Sequence, residues 1–198
     1  MKVGGIVLCG GRSSRMGQPK AWLPFGDELL LQRVVRIVDS VVQPVVVVAA
    51  PGQAVPELPN AVAIVRDEVE GRGPLAGLAA GLIALTGHVD AVYLSACDVP
   101  FLMPAFVQRV VGRLGSHDVA VPRVGGYLHP LAAVYRITVI DTVLSLLAAG
   151  RLRPVFLYDA LPTLFLDEAD LIDVDPRFDS LRNLNEPADY AAALRDLE

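Results

Sequence analysis

Val3-Gly4-Gly5-Ile6-Val7-Leu8-Cys9-Gly10-Gly11-Arg12-Ser13-Ser14-Arg15-Met16-Gly17-Gln18-Pro19-Lys20 decides how the rest of the chain is read. Val3–Leu8 is a short apolar, β-branched run closed by Cys9-Gly10-Gly11, the pattern of a buried strand running into a loop. Gly10 and Gly11 permit positive φ and bring backbone N–H groups close to a ligand. Successive N–H groups in such a turn form a concavity for anions. Ser13 and Ser14 add hydroxyl donors, and Arg15 and Lys20 add full positive charge. This combination suits a triphosphate, whose charge must be neutralised before a nucleophile approaches. Lys2 and Lys20 are the only lysines, so fifteen of the 17 basic residues are arginine. A compact, mobile ammonium follows phosphate charge during transfer better than a planar guanidinium does. For Gly10-Gly11 alone, a surface turn with solvated arginines is an equal reading. The full string favours the anion loop.

Two familiar phosphate loops are excluded. No G-x-G-x-x-G follows the first strand, and no G-x-x-x-x-G-K-[ST] occurs anywhere. Outward from the loop, strand and helix patterns alternate. Leu29, Leu30, Val34, Val35, Ile37 and Val38 recur at helical spacing, with Arg33, Arg36 and Asp39 between them. Val45–Ala50 is a strand buried on both faces, ended by Pro51-Gly52, and 61–66 is a further short strand. Pro74 opens a helix over 75–86; 90–96 is a strand, 103–114 a helix and 117–122 a strand. Gly125-Gly126 is a turn, 131–135 a strand, and 137–149 a helix stopped by Gly150. Residues 154–160 read equally as strand or helix, 163–166 as a strand, and 187–197 as a closing helix.

This alternation predicts right-handed βαβ units and a mostly parallel sheet covered on both faces. Ligands in such sheets lie beyond the carboxyl ends of the strands. No repeat, low-complexity segment or linker divides the 198 residues, so residues 1–198 are expected to form one domain. The hydrophobic fraction of 53% against 20% charged residues is that of a chain with a sizeable core. A net charge of −5 argues against nucleic-acid and anionic-membrane partners, which need basic surfaces. Cys9 and Cys97 are too few for a disulfide framework or a four-cysteine zinc site. His88, His117 and His129 show no H-E-x-x-H spacing. The apolar, uncharged stretch between Arg72 and Asp90, as long as any in the chain, is short for a membrane span. With no signal-peptide pattern at the N-terminus, the expected setting is cytoplasmic.

A second loop carries chemistry. Tyr93-Leu94-Ser95-Ala96-Cys97-Asp98-Val99-Pro100 delivers one carboxylate to the end of a buried strand. Mg²⁺ takes only one or two protein carboxylates and fills its shell with water and substrate phosphates. Asp98 alone reads more readily as a cap for the helix after Pro100. Beside the first loop, the metal reading is preferred.

Leu8-Cys9-Gly10-Gly11 with Ser14-Arg15-Met16-Gly17 and Lys20, then Gly73-Pro74-Leu75-Ala76-Gly77, then Cys97-Asp98-Val99-Pro100, resembles the nucleotidyltransferase family of molybdenum cofactor guanylyltransferase. Asn183-Leu184-Asn185-Glu186-Pro187 is similar to that family's closing Asn-x-Asn-(Thr/Glu)-Pro motif. The match runs in order from residue 3 to about residue 194. The resemblance implies a three-layer α/β/α fold with a Rossmann-like, mostly parallel sheet, of the nucleotide-diphospho-sugar transferase type. It implies Mg²⁺-dependent transfer of GMP from GTP to molybdopterin, with release of pyrophosphate. By motif position, Leu8, Cys9, Gly10, Gly11 and Ser13 would line the nucleotide. Lys20 would contact its phosphates, with Arg15 the second cation. Asp67 and Gly77 would face the nucleotide, Asp98 would hold Mg²⁺, and Asn183 and Asn185 would lie near the metal and the acceptor phosphate.

An attacking phosphate oxygen is already nucleophilic at neutral pH, so no general base is needed and no Cys–His or His–Asp constellation is expected. Gly77 and Gly81 leave one helix face nearly bare; Gly81 suits close packing on the sheet and Gly77 the nucleotide. His129 reads as a structural hydrogen-bonding group. Arg123, Arg151 and Arg153 are either acceptor-phosphate ligands or solvated surface groups. Cys9 and Cys97 are small buried residues at strand ends. Val48 replaces an asparagine common in the guanylyltransferase pattern, and Gln18-Pro19-Lys20 replaces the frequent x-Asp-Lys. Both leave the base open, although Gly10-Gly11 favours guanine. The runner-up is a sister enzyme using CTP with molybdopterin, or an NTP with a sugar or alditol phosphate. A non-catalytic nucleotide-binding module is the third reading. A molybdenum-loading enzyme is a candidate partner, and a monomer or weak oligomer is expected.

Overall fold

Val3–Leu8 forms β1, and everything that positions the site is arranged around it. A computed structural model of the chain describes residues 1–10, 18–67 and 72–197. The remaining elements follow in chain order. A small hairpin, β2 (Pro24–Phe25) and β3 (Glu28–Leu29), precedes α1 (Leu30–Asp39), β4 (Val45–Ala49), β5 (Ala63–Arg66), α2 (Pro74–Leu85) and β6 (Ala91–Ala96). Then come α3 (Pro104–Gly112), β7 (Val119–Val124), β8 (Tyr127–Leu128), β9 (Ala132–Arg136), α4 (Ile140–Ala148) and α5 (Val155–Tyr158). The chain closes with β10 (Thr163–Asp167), α6 (Glu168–Leu171) and α7 (Pro187–Arg195).

Among the described residues, eight strands form one sheet in the order β10-β7-β9-β6-β1-β4-β5, with β8 on β7. β1 is parallel to both β4 and β6, with Leu8 level with Val48 on one side and Ala96 on the other. From β1 the chain winds outward through β4 and β5, then returns to β6 on the far side of β1. That reversal opens a crevice beyond the carboxyl ends of β1 and β6. The expected mostly parallel sheet is present, with β9 antiparallel to both β6 and β7. The two-residue turn after β7 sends the chain straight back along it, first as β8 and then as β9, with no room for the crossover that parallel strands need.

The continuous valine run of β4 serves two cores by strand alternation. Val45, Val47 and Ala49 join Val7, Tyr93 and the apolar faces of α1 and α3. Val46 and Val48 join Ile6, Leu94 and the helices α2 and α4. A third, smaller cluster packs Leu23, Phe25 and Leu30 against Leu184 and Ala193, docking the C-terminal segment on the hairpin. Residues 154–160, open in sequence, contain the short helix α5. Gly150 follows α4 with φ +71, the C′ geometry expected of it. Gly125 and Gly126, both at positive φ, make the β7–β8 turn. No described helix is long and apolar enough to cross a membrane.

Candidate functional site

A cavity of about 590 Å³ lies over the carboxyl ends of β6, β1, β4 and β5. At one end the sequence-predicted residues converge. Lys20 sits in a 3-10 turn after the glycine loop, fixed by hydrogen bonds from Trp22 N to Pro19 O and from Leu23 N to Lys20 O. Its Nζ donates to Asp98 Oδ2 at 2.6 Å and to Asn185 Oδ1 at 3.1 Å. Asn183 Nδ2 donates to Asp98 Oδ1 at 3.0 Å. Asp98 is 8% exposed, so its charge is held by these partners rather than by bulk water. Asp98 does not cap the following helix: α3 begins only at Pro104, with Met103 at its N-cap.

The asparagines reach the site because Leu184 between them is fully buried. Leu184 N also donates to Asp98 O at 2.9 Å. Asp189 Oδ2 then accepts from Asn185 N and Glu186 N at 3.0 and 2.9 Å, capping α7 and holding the segment in place.

The remaining wall is mostly apolar and backbone: Leu8, Cys9, Gly10, Val48, Ala49, Ala50, Pro51, Gly77 and Leu131, with Asp67 from the end of β5. Asp67 N donates to Ala49 O at 3.0 Å, placing this carboxylate beside β4. Gly73, at φ +76, and Pro74 bring the N-terminus of α2 to the cavity, where its dipole favours negative charge. From the end of β6 to the end of β5 is three strand spacings, about 14 Å. The cavity lining therefore spans these four strand ends, with Lys20 and Asp98 at the β6 end and Asp67 at the β5 end.

The structure corrects one expectation directly. Gly10 is not at positive φ. A Cβ placed there would lie 3.1 Å from Ala50 N, so glycine serves the close approach of this loop to the end of β4. At Gly77 a Cβ would meet Leu8 Cδ2 at 2.9 Å, and at Gly81 it would meet Ile6 Cδ1 at 2.5 Å. Gly81 thus serves helix–sheet packing. Gly77 serves it too, while also lining the cavity. Val48 contributes only apolar wall. Gly11, Ser13 and Arg15 lie outside the described residues.

Arg123, Arg151, Arg153 and His129 are not on the cavity wall. Arg123 pairs with Asp167 and lies over Phe165, and Arg151 lies over Phe156. Burial lowers the His129 pKa below its ordinary value, against a hydrogen bond to the Val124 backbone that raises it. Its Nε2 is buried without a partner among the described residues. Burial pushes the Cys9 thiol up to about 11 and Cys97 well above its ordinary value. Both are free, buried and protonated at neutral pH, which makes them poor nucleophiles. Sequence reasoning missed Ala50, Pro51 and Leu131 as wall residues. The Pro51-Gly52 turn was the available signal for the first two.

The fold is a doubly wound sheet with a lysine–aspartate pair at its switch point, and its likeness to known proteins makes it a nucleotidyltransferase. Residues 5–162 match the model of the MobA-like NTP transferase domain, and the chain belongs to that family. It is 34% identical to a probable molybdenum cofactor guanylyltransferase of Pelotomaculum thermopropionicum, over 96% of this chain and 90% of the relative. A probable molybdenum cofactor guanylyltransferase of Mycobacterium tuberculosis is 39% identical over 84% of each chain. The crystal structure of molybdopterin-guanine dinucleotide biosynthesis protein A from Archaeoglobus fulgidus shares the fold, with a TM-score of 0.80 and 22% identity over 98% of this chain and 97% of that one.

Proposed function

We propose that the protein transfers GMP from GTP to molybdopterin, with release of pyrophosphate, in the cytoplasm. The observation that carries this reading is the meeting of Lys20, Asp98, Asn183 and Asn185 at one end of the cavity. The names of the two curated relatives support guanylyl transfer to a molybdenum cofactor. The triphosphate would lie at the lysine end and the base toward the ends of β4 and β5. Leu8, Cys9, Gly10, Asp67 and Gly77 would line its length.

The donor set suits Mg²⁺. No cluster of three or more His, Cys, Asp or Glu side chains occurs among the described residues. One carboxylate, Asp98, stands with one amide oxygen, Asn185 Oδ1, within reach of the same ammonium. Such an open oxygen set leaves most positions for phosphates and water. Bound there, Mg²⁺ would supply charge neutralisation to the α-phosphate.

The chain's own residues do the rest. An acceptor phosphate oxygen forms a bond to the α-phosphorus as the bond from that phosphorus to the β-phosphate bridging oxygen breaks, and the electron pair leaves with pyrophosphate. No side chain has to remove a proton. Lys20 moves from Asp98 to the phosphate oxygens and offsets their growing charge, with Arg15 as the second proposed cation. Gly11 and Ser13 are proposed to add donors from the glycine loop. Asn183 and Asn185 orient Asp98 and the acceptor side. Rate comes from alignment and fixed charge.

Equilibrium binding of GTP, CTP, ATP and UTP, each with Mg²⁺, tests the base. GTP is expected to bind tightest, and Asp98→Ala is expected to weaken it. Tighter CTP binding would move the protein to a cytidylyl-transferring sister. In a transfer assay with molybdopterin, Lys20→Ala and Asp98→Ala should each remove most turnover while circular dichroism shows a folded protein. Wild-type rates in either variant would refute the site.

A further inference from the structure

Lys20 occupies the oxygens that a divalent cation would need. Its Nζ donates to Asp98 Oδ2 at 2.6 Å and to Asn185 Oδ1 at 3.1 Å. The side chains of the ion pair are only 17% and 11% exposed, so water screens their charges weakly. The two asparagines play opposite parts. A carboxylate only accepts, so the atom that meets Asp98 Oδ1 at 3.0 Å is the amide Nδ2 of Asn183. That bond ties down one carboxylate oxygen and leaves Oδ2 to Lys20. An ammonium only donates, so the Asn185 atom beside it is the carbonyl oxygen. Asp98 Oδ2 and Asn185 Oδ1 are thus two oxygens facing one cation, and that cation is Lys20.

We infer that Lys20 is a stand-in cation: it competes with the divalent metal for Asp98 and Asn185, and it gives these oxygens up only when a polyphosphate takes the ammonium. The inference rests on the proposed nucleotide and Mg²⁺ reading. The physical reason is charge. An ammonium and a divalent ion on the same carboxylate oxygen repel each other strongly where water is scarce. To admit a metal ion alone, Lys20 would have to leave Asp98 with no phosphate to replace it. A bound polyphosphate offers the ammonium new anionic oxygens, and charge-assisted hydrogen bonds to them offset the one that is lost. Polyphosphate and metal therefore favour each other's binding, and by linkage the coupling is equal in both directions.

The test titrates the intact chain with Mn²⁺ alone, without nucleotide, and reads the free ion from its paramagnetic resonance signal. Mn²⁺ shares the preference of Mg²⁺ for oxygen ligands. Lys20→Met and Lys20→Gln both remove the charge, and the second keeps a donor for Asp98. Each is expected to bind Mn²⁺ at least about tenfold tighter than wild type. Lys2→Met changes the net charge equally at an exposed position and should leave the affinity within about twofold. Adding Asp98→Asn to Lys20→Met should abolish the gain. The inference is overturned if neither Lys20 variant gains affinity, if Lys2→Met gains as much, or if the gain survives Asp98→Asn. Failure of GTP to bind wild type with Mg²⁺ would refute the nucleotide reading instead, and the Mn²⁺ titrations would still decide the competition at Asp98. Circular dichroism identifies a Lys20 variant that fails to fold, and the other then decides.

Discussion

His129 shows how one buried ring leaves a signature in solution. Burial holds its native pKa below 6.5, and the unfolded chain restores the ordinary value. As pH falls below about 6.5, the unfolded state binds a proton that the native state refuses, so stability declines with acidity until the native ring titrates too. Glu28, Asp167 and Asp173 are held below their ordinary values by arginine partners. They stay ionised in both states across this range and do not mask the effect. Wild-type protein should therefore lose more thermal stability between pH 7.5 and pH 5.5 than His129→Gln, as followed by the unfolding midpoint. Identical slopes would show that the ring charges freely in the fold. A structural role for His129 was legible, but not its buried, unpartnered Nε2, because a lone histidine after a turn looks the same whether it is wet or dry.

Among the elements, those with an apolar run, a helical period or Pro and Gly at their ends were legible, and the shortest were not. β1, α1, β4, α2 and β6 announce themselves through valine runs, i, i+3, i+4 spacing and Pro or Gly at their ends. The hairpin β2–β3 and the helix α6 are two to four residues long and carry no period. The α2–β1 contact makes a prediction at this scale. A Cβ at position 81 would lie 2.5 to 2.8 Å from three atoms of Ile6. Overpacking of this kind costs about 1–3 kcal/mol, more than the helix-propensity gain of replacing glycine by alanine. Gly81→Ala should lower the unfolding midpoint. In an Ile6→Ala background the same change should be neutral or stabilising, and the thermal double-mutant cycle measures the difference. Additivity would mean that α2 simply shifts away from the sheet.

At the scale of the molecule, the site residues carried by loops with a dense motif were legible, and those that only line the wall were not. Lys20, Asp98, Asn183 and Asn185 all converge, whereas Ala50 and Leu131 lie on the cavity wall and leave no spacing to read. The tail segment depends on the third hydrophobic cluster. Leu184→Ala should cost about 2–5 kcal/mol and, well below the unfolding midpoint, reduce turnover further than loss of folded protein explains. Turnover per folded molecule equal to wild type would show that Asn183 and Asn185 hold their places without that anchor.

Lys20 and Asn185 are 165 positions apart yet share a hydrogen bond. A nascent chain cannot close this pocket until nearly the whole sheet has been synthesised and threaded together. Only finished molecules can then recruit a ligand that bridges those two residues. By mass action such a ligand draws the population toward the native state, so its concentration counts as a folding variable as much as a binding one.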